Sequence, residues 1–290
     1  MGQSAALRGM GCRRKDETMD GLNEPMIRLA SFLGVLAIMA TYEIAAPRRK
    51  LSAPKRLRWF SNLGIVVVNT LVLRLLFPLA GVGFALYASE RGWGLGPLLG
   101  APQWLWAIVC VIALDAAIWA QHVMFHHVPV LWRLHRMHHA DLDIDVTTGL
   151  RFHPVEIILS MLIKFAVIAL LGAPAVAVLI FEVLLNATAM FNHSNVKLPE
   201  RADAIIRTLI VTPDMHRVHH SVDPTETHTN FGFNLSIWDR LAGLYKAQPK
   251  LGHDGMSIGL PVFRDEGELR LDRMLLQPLR NDKGRAAEKI

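Results

Sequence analysis

Eleven of the thirteen histidines in this 290-residue chain fall between His122 and His220. Eight of them form three runs: His122 with His126, His135 with His138 and His139, and His216 with His219 and His220. Residues three and four apart share one face of a helix, with Cβ atoms roughly 5–6 Å apart, so each run would aim its imidazoles in one direction. Imidazole suits zinc, copper, iron and nickel. Eight donors are too many for one tetrahedral ion and enough for two metals with open positions. His127 is turned about 100° from the His122–His126 face and reads as a surface residue, although its five-residue step from His122 leaves the choice of His126 over it open.

The elements that must position these runs are apolar. The chain is 52% hydrophobic and only 19% charged, which argues for a membrane protein rather than a soluble one. Apolar segments run over about 26–46, 61–88, 103–126, 155–171 and 174–193. The first three exceed the roughly 20 residues that a spanning helix needs. The last two are shorter and are separated by Gly172-Ala173-Pro174, so they form either two short spans or a re-entrant hairpin. The expected fold is all-α: an integral membrane bundle of four to five segments carrying a cytoplasmic, histidine-rich helical cap. A polar tail over 1–25, a catalytic domain over 26–246 and a polar, solvated tail over 247–290 complete the organisation. Cys12 and Cys110 cannot make a disulfide framework. The net charge of +6 lies beside the apolar segments without aromatic interleaving, which points to membrane topology and away from nucleic acid. Arg48, Arg49, Lys50, Lys55, Arg56 and Arg58 place the loop after the first span in the cytoplasm. All three histidine runs then reach that same side.

Three charges sit at similar depth inside the apolar segments: Arg74, Asp115 and Glu182. Such groups normally face the bundle interior and pair, so Arg74 is expected to pair with one or both carboxylates. Asp115, Trp119, His122 and His126 share a helical face, which makes Asp115 a competing acceptor for a ligand histidine. Asp141, Asp143 and Asp145 alternate as in a calcium loop, but Val146 and Phe152 stand where glycine and glutamate are required. They read as a solvated loop. No HExxH zinc-protease motif, nucleotide loop or dinucleotide fingerprint is present.

The order HxxxH, HxxHH, insertion, HxxHH resembles the fatty acid hydroxylase/sterol desaturase superfamily. The likeness extends to Leu131-Trp132-Arg133-Leu134, Arg151-Phe152-His153-Pro154, Asn192-His193-Ser194, Thr212-Pro213-Asp214-Met215 and the stretch from Asn234 to Tyr245, and covers about residues 26–265. It implies a di-iron centre ligated by His122, His126, His135, His138, His139, His216, His219 and His220. Some relatives carry a further histidine pair at the hairpin's end. Here His193 is present and Ala189 stands four residues before it, so His193 alone is implied as a ninth ligand. Asp115, His153, Asp214 and Asn230 are expected to support the ligands, and His228 to lie on the surface.

An all-histidine donor set leaves a bound metal strongly electrophilic, and two neighbouring irons can share the electrons that split dioxygen. The expected activity is O₂-dependent hydroxylation, or desaturation, of a fatty acyl, alkyl or sterol-like lipid. Electrons would come from a separate b-type cytochrome or ferredoxin with its reductase, and the location would be a bacterial inner membrane with the site facing the cytoplasm. The alternative is a zinc-dependent membrane hydrolase, since all-histidine sites bind zinc well. A metal transporter fits less well, because transporters place their ligands near the bilayer midplane.

Overall fold

Local chemistry sets the helix limits. Asn23 caps α1 (Glu24–Ala45) by accepting from the Met26 amide, with Pro25 in the first turn. The computed structural model describes residues 23–100 and 102–281, so most of the expected N-terminal tail lies outside the described residues. Pro54 precedes α2 (Lys55–Leu76). The apolar segment expected as one span over 61–88 is broken at Phe77–Ala80, because Pro78 has no N–H and its ring clashes with the preceding turn. The chain resumes as α3 (Gly81–Glu90), followed by the short α4 (Leu95–Leu99). The longest helix is α5 (Gln103–His127), and after extended Val128 the chain restarts at Pro129 as α6 (Pro129–His139).

His153 begins α7 (Pro154–Leu171), its Nδ1 accepting from the Val155 amide at 3.2 Å. Gly172 ends α7 in the left-handed conformation, φ 62°, and α8 (Ala175–Asn192) follows Pro174. At 18 residues each, α7 and α8 reach about 27 Å, close to the hydrocarbon thickness of a bilayer. Five segments are long and apolar enough to cross a membrane: α1, α2 with α3, α5, α7 and α8. Among the described residues there are only isolated bridges and no extended strand. Short helices make up the rest: α9 (Glu200–Ile206), α10 (Pro213–His219), α11 (Pro224–Thr227), α12 (Ile237–Leu241), α13 (Gly252–Gly255) and α14 (Leu271–Leu276).

Val82, Ala85, Leu114, Ile118, Val178 and Phe181 form the apolar core where α3, α5, α7 and α8 meet. The turn between α7 and α8 is held by a backbone approach that only glycine permits. A Cβ on Gly94 (φ +92°) would lie 1.9 Å from the Gly172 nitrogen, whereas one on Gly92 (φ +65°) would meet nothing within 4 Å. Gly94→Ala is therefore expected to cost at least ~2 kcal/mol more than Gly92→Ala, read as thermal unfolding in detergent.

All the chain that carries histidine runs collects at one end of the bundle. There Pro47 bridges Val196, and Arg48 N donates to the Asn195 carbonyl. The buried Glu43 near the end of α1 accepts from the amides of Val146 and Asn195 through one oxygen, at 2.7 and 2.8 Å.

Three expectations are corrected here. The 141–145 loop is buried, not solvated. Arg58, fully buried, donates to Asp141 through Nε (2.6 Å) and Nη2 (3.0 Å) and to Asp145 through Nη1 (2.6 Å), while Asp143 accepts from the amides of Ser52 and Ala53. Burial works against ionisation of Asp141, yet Arg58 and Arg151 hold its pKa down at about 2. Secondly, Arg74 is exposed and pairs with neither carboxylate. Glu182 is paired with Lys164 (2.6 Å) and Arg28, and Asp115 accepts from Trp238 Nε1 (2.8 Å) and the Leu235 amide (3.3 Å). Thirdly, residues 247–281 are packed rather than a solvated tail. Ile258 bridges Ser221, Gly259 N donates to the His220 carbonyl, and Arg133 and Arg136 on α6 donate to the carbonyls of Pro278 and Gln277.

Candidate metal centre

Three elements bring the histidine runs together. The end of α5 supplies His122 and His126, α6 supplies His135, His138 and His139, and α10 with its cap supplies His216, His219 and His220. His193 arrives as the residue capping α8. All nine are buried. They sort into two groups that could each hold an ion: His122, His126, His135, His139 and His219 in the first, and His138, His193, His216 and His220 in the second. The groups adjoin, since the rings of His139 and His220 are stacked with centroids 4.6 Å apart.

Proton placement decides what these groups can do. His122 Nδ1 lies 2.7 Å from the Phe231 carbonyl, His219 Nδ1 2.7 Å from the Thr229 carbonyl and His193 Nδ1 2.7 Å from the Ala189 carbonyl. A carbonyl only accepts, so the proton sits on Nδ1 and Nε2 presents a lone pair. His135 Nδ1 is fixed likewise by Glu156 Oε1 at 2.7 Å. Yet the Nε2 atoms converge: His122 to His135, His122 to His219, His126 to His139, His138 to His193 and His193 to His216, each at 3.1 Å. His122 faces His135 and His219 with the Nδ1 proton fixed on every ring, so those Nε2 lone pairs repel at that distance unless a cation lies between them. Nitrogens about 2.1 Å from a shared ion, at near-right angles to each other, lie about 3 Å apart. The donor set therefore fits bound metal, and five donors in the first group exceed what a tetrahedral ion takes.

Electrostatics favour the same state. Burial, with the neighbouring imidazoles adding to it, pushes the pKa values of His138, His139, His216, His219 and His220 well below the usual histidine range, and burial holds His193 at about 3. These six imidazoles are neutral at pH 7, as ligands must be.

The expected supporting residues act at one remove. Asp115 holds the 235–238 turn rather than an imidazole. His153 caps α7 and its Nε2 lies 3.3 Å from the Leu275 carbonyl. Asp214 pairs with Arg217 and Arg48. Asn230, at φ 53°, donates to the carbonyls of Met215 and Lys246 and so fixes the turn that carries the Thr229 and Phe231 acceptors. His127 is exposed and bonds only the Val123 carbonyl of its own helix. His228 is half-buried, not a surface residue, with Nδ1 3.4 Å from His126 Nδ1.

Sequence reasoning missed Glu156 and Asp239. Asp239 accepts from Trp119 Nε1 (3.0 Å) and from the amides of Phe231 and Gly232 (2.9 Å each), locking the acceptor of His122. Glu156 is buried in the first turn of α7, where a lone acid opening an apolar helix was the available signal. A carboxylate behind a ligand histidine fixes its tautomer and raises its basicity. Glu156→Ala is expected to weaken metal binding in the first group about 10–100-fold, with Glu156→Gln recovering part because its amide oxygen can still accept; competition against a chelator measures both.

The fold and site together define the class: a helical bundle with five segments long and apolar enough to cross a membrane, carrying two adjoining all-histidine groups that could each hold a metal ion. The sequence model of the fatty acid hydroxylase family matches residues 107–244, just under half of the chain, and that stretch contains all nine histidines. It is 26% identical to the ornithine lipid hydroxylase OlsE of Rhizobium tropici over 76% of this chain and 67% of that protein. It is 25% and 27% identical to the alkylglycerol monooxygenases of Homo sapiens and Xenopus tropicalis, in each case over 55% of this chain, and spans only 35% and 34% of their length. No solved structure matches the chain.

Proposed function

We propose that this chain is an O₂-dependent membrane lipid hydroxylase whose two histidine groups hold two irons. The observation that carries the reading is the convergence of buried imidazole nitrogens in two adjoining groups, five donors in one and four in the other, with facing Nε2 lone pairs on His122, His135 and His219. His122, His126, His135, His139 and His219 would hold one iron, and His138, His193, His216 and His220 the other. Bound there, the pair would supply the electrons and Lewis acidity for inserting one oxygen atom of dioxygen into a C–H bond. The protein holds the ligands and keeps water out. Glu156, Asn230 and Asp239 orient the imidazoles, while Asp115 and His153 brace the surrounding loops and Asp214 pairs with Arg217 on α10.

The substrate is a lipid with a hydrocarbon chain, and the chemistry in the names of the relatives favours hydroxylation over desaturation. Burial of the chain supplies about 0.8 kcal/mol per CH₂. The second oxygen atom leaves as water, so two electrons must come from a separate donor, a b-type cytochrome or a ferredoxin with its reductase. The basic loop at the histidine end of the bundle supports a cytoplasmic site on a bacterial inner membrane.

Lipid mass spectrometry of cells with and without the gene tests this reading. One lipid class one oxygen atom heavier is expected, absent with His138→Ala. A class two hydrogens lighter would mean desaturation, and no aerobic change in any lipid would overturn the proposal.

A further inference from the structure

Between the two histidine groups and the apolar core stand two phenylalanines. The Phe233 ring lies 4.9 Å from His122 of the first group and 6.0 Å from His216 of the second, centroid to centroid. Its other side belongs to the apolar cluster of α3, α5, α7 and α8. Phe152 stacks on His138 at 4.6 Å with an interplanar angle of 9° and lies 6.1 Å from His135. It too packs against that cluster, yet it remains half-buried. The two rings are 6.4 Å apart. Each therefore touches both histidine groups on one side and the membrane-type core on the other. Phe231, by contrast, contacts His122, His126 and His219, all of the first group.

We propose that Phe152 and Phe233 form the contact surface for the lipid's hydrocarbon chain and select which carbon is hydroxylated. The inference rests on the lipid hydroxylase reading and names the part of that site that confers position. A methylene chain has no polar handle, so only the shape of the apolar wall can distinguish one carbon from the next. A single methylene in a hydrophobic pocket is worth about 10–200-fold in discrimination. Two rigid rings standing between both histidine groups and the apolar core are the apolar surface best placed to exert it. The backbone holds both rings in place. Asn69 Nδ2 donates to the Phe152 carbonyl at 3.0 Å and Asn192 Nδ2 to the Phe233 carbonyl at 2.9 Å.

Two measurements test this. In the first, cells expressing wild type, Phe152→Ala or Phe233→Leu are compared by tandem mass spectrometry, which locates the hydroxyl on the chain. The wild type is expected to give one dominant position. Each variant, with its metal content retained, is expected to lower the ratio of that position to its neighbours about tenfold. An unchanged ratio in both variants overturns the inference while leaving the hydroxylase reading intact; no hydroxylated lipid from wild type overturns both. The second reads binding without turnover. A hexadecyl glycerol ether with a mid-chain diazirine is incorporated with the purified protein in phosphatidylglycerol vesicles and irradiated without oxygen. Labelling of the peptides containing Phe152 or Phe233 is expected, and labelling confined to the outer faces of the spans would contradict the proposal.

Discussion

Alanine at His139 is expected to lower lipid hydroxylation at least about a hundredfold and to strip metal from the first group. His139 Nε2 is 3.1 Å from His126 Nε2, and its ring stacks on His220, so it couples the two groups. Removing a residue that merely orients a ligand costs 10–100-fold in metal affinity or activity, and removing the ligand itself costs more. His127→Ala is the matched control. That side chain is exposed at the end of the same α5 that carries His126, so its loss is expected to leave activity within about twofold. Metal analysis and product yield on the pair of variants separate a site effect from a general effect of losing a histidine. They also decide between His126 and His127, which helical spacing alone left open.

The second large effect belongs to Arg58. Arg58→Met would leave Asp141 and Asp145 buried without their cation, and breaking a buried pair from one side costs about 3–5 kcal/mol. That is a large share of a typical stability of 5–15 kcal/mol. Low membrane accumulation and a lower unfolding temperature in detergent are expected. The loop losing its anchor begins two residues after His139, so metal loss should accompany the instability. Adding Asp141→Asn and Asp145→Asn removes the stranded charges and is expected to recover part of the stability. If Arg58→Met were as stable as wild type, the network would be of no structural consequence.

The apolar segments and the histidine runs were legible in the sequence because both depend on short-range periodicity. Twenty apolar residues fit a bilayer, and a three- or four-residue step fixes a helix face. What was not legible depends on rotation about helix axes and on contacts distant in sequence. Arg74, Asp115 and Glu182 were expected at similar depths, but depth says nothing about direction. Arg74 points outward, while Glu182 meets Lys164 and Arg28, two cations that the apolar runs around them concealed. The 141–145 acids read as solvated because their partner lies more than eighty residues earlier, near the start of α2, among charges that were assigned to topology. The polar composition of 247–281 hid the buried Met256, Ile258, Phe263 and Met274, which close the histidine end of the bundle. Glu156 was hidden in the same way, as its role appears only once α7 is laid beside α6.

The most direct measurement is the fate of dioxygen. Anaerobically purified protein, its iron and zinc counted, is given an electron donor, the lipid extract of its host cells and isotopically labelled O₂. The account predicts two irons per chain and one labelled oxygen atom in a lipid hydrocarbon chain. A single zinc per chain, with no label in any lipid, would contradict it.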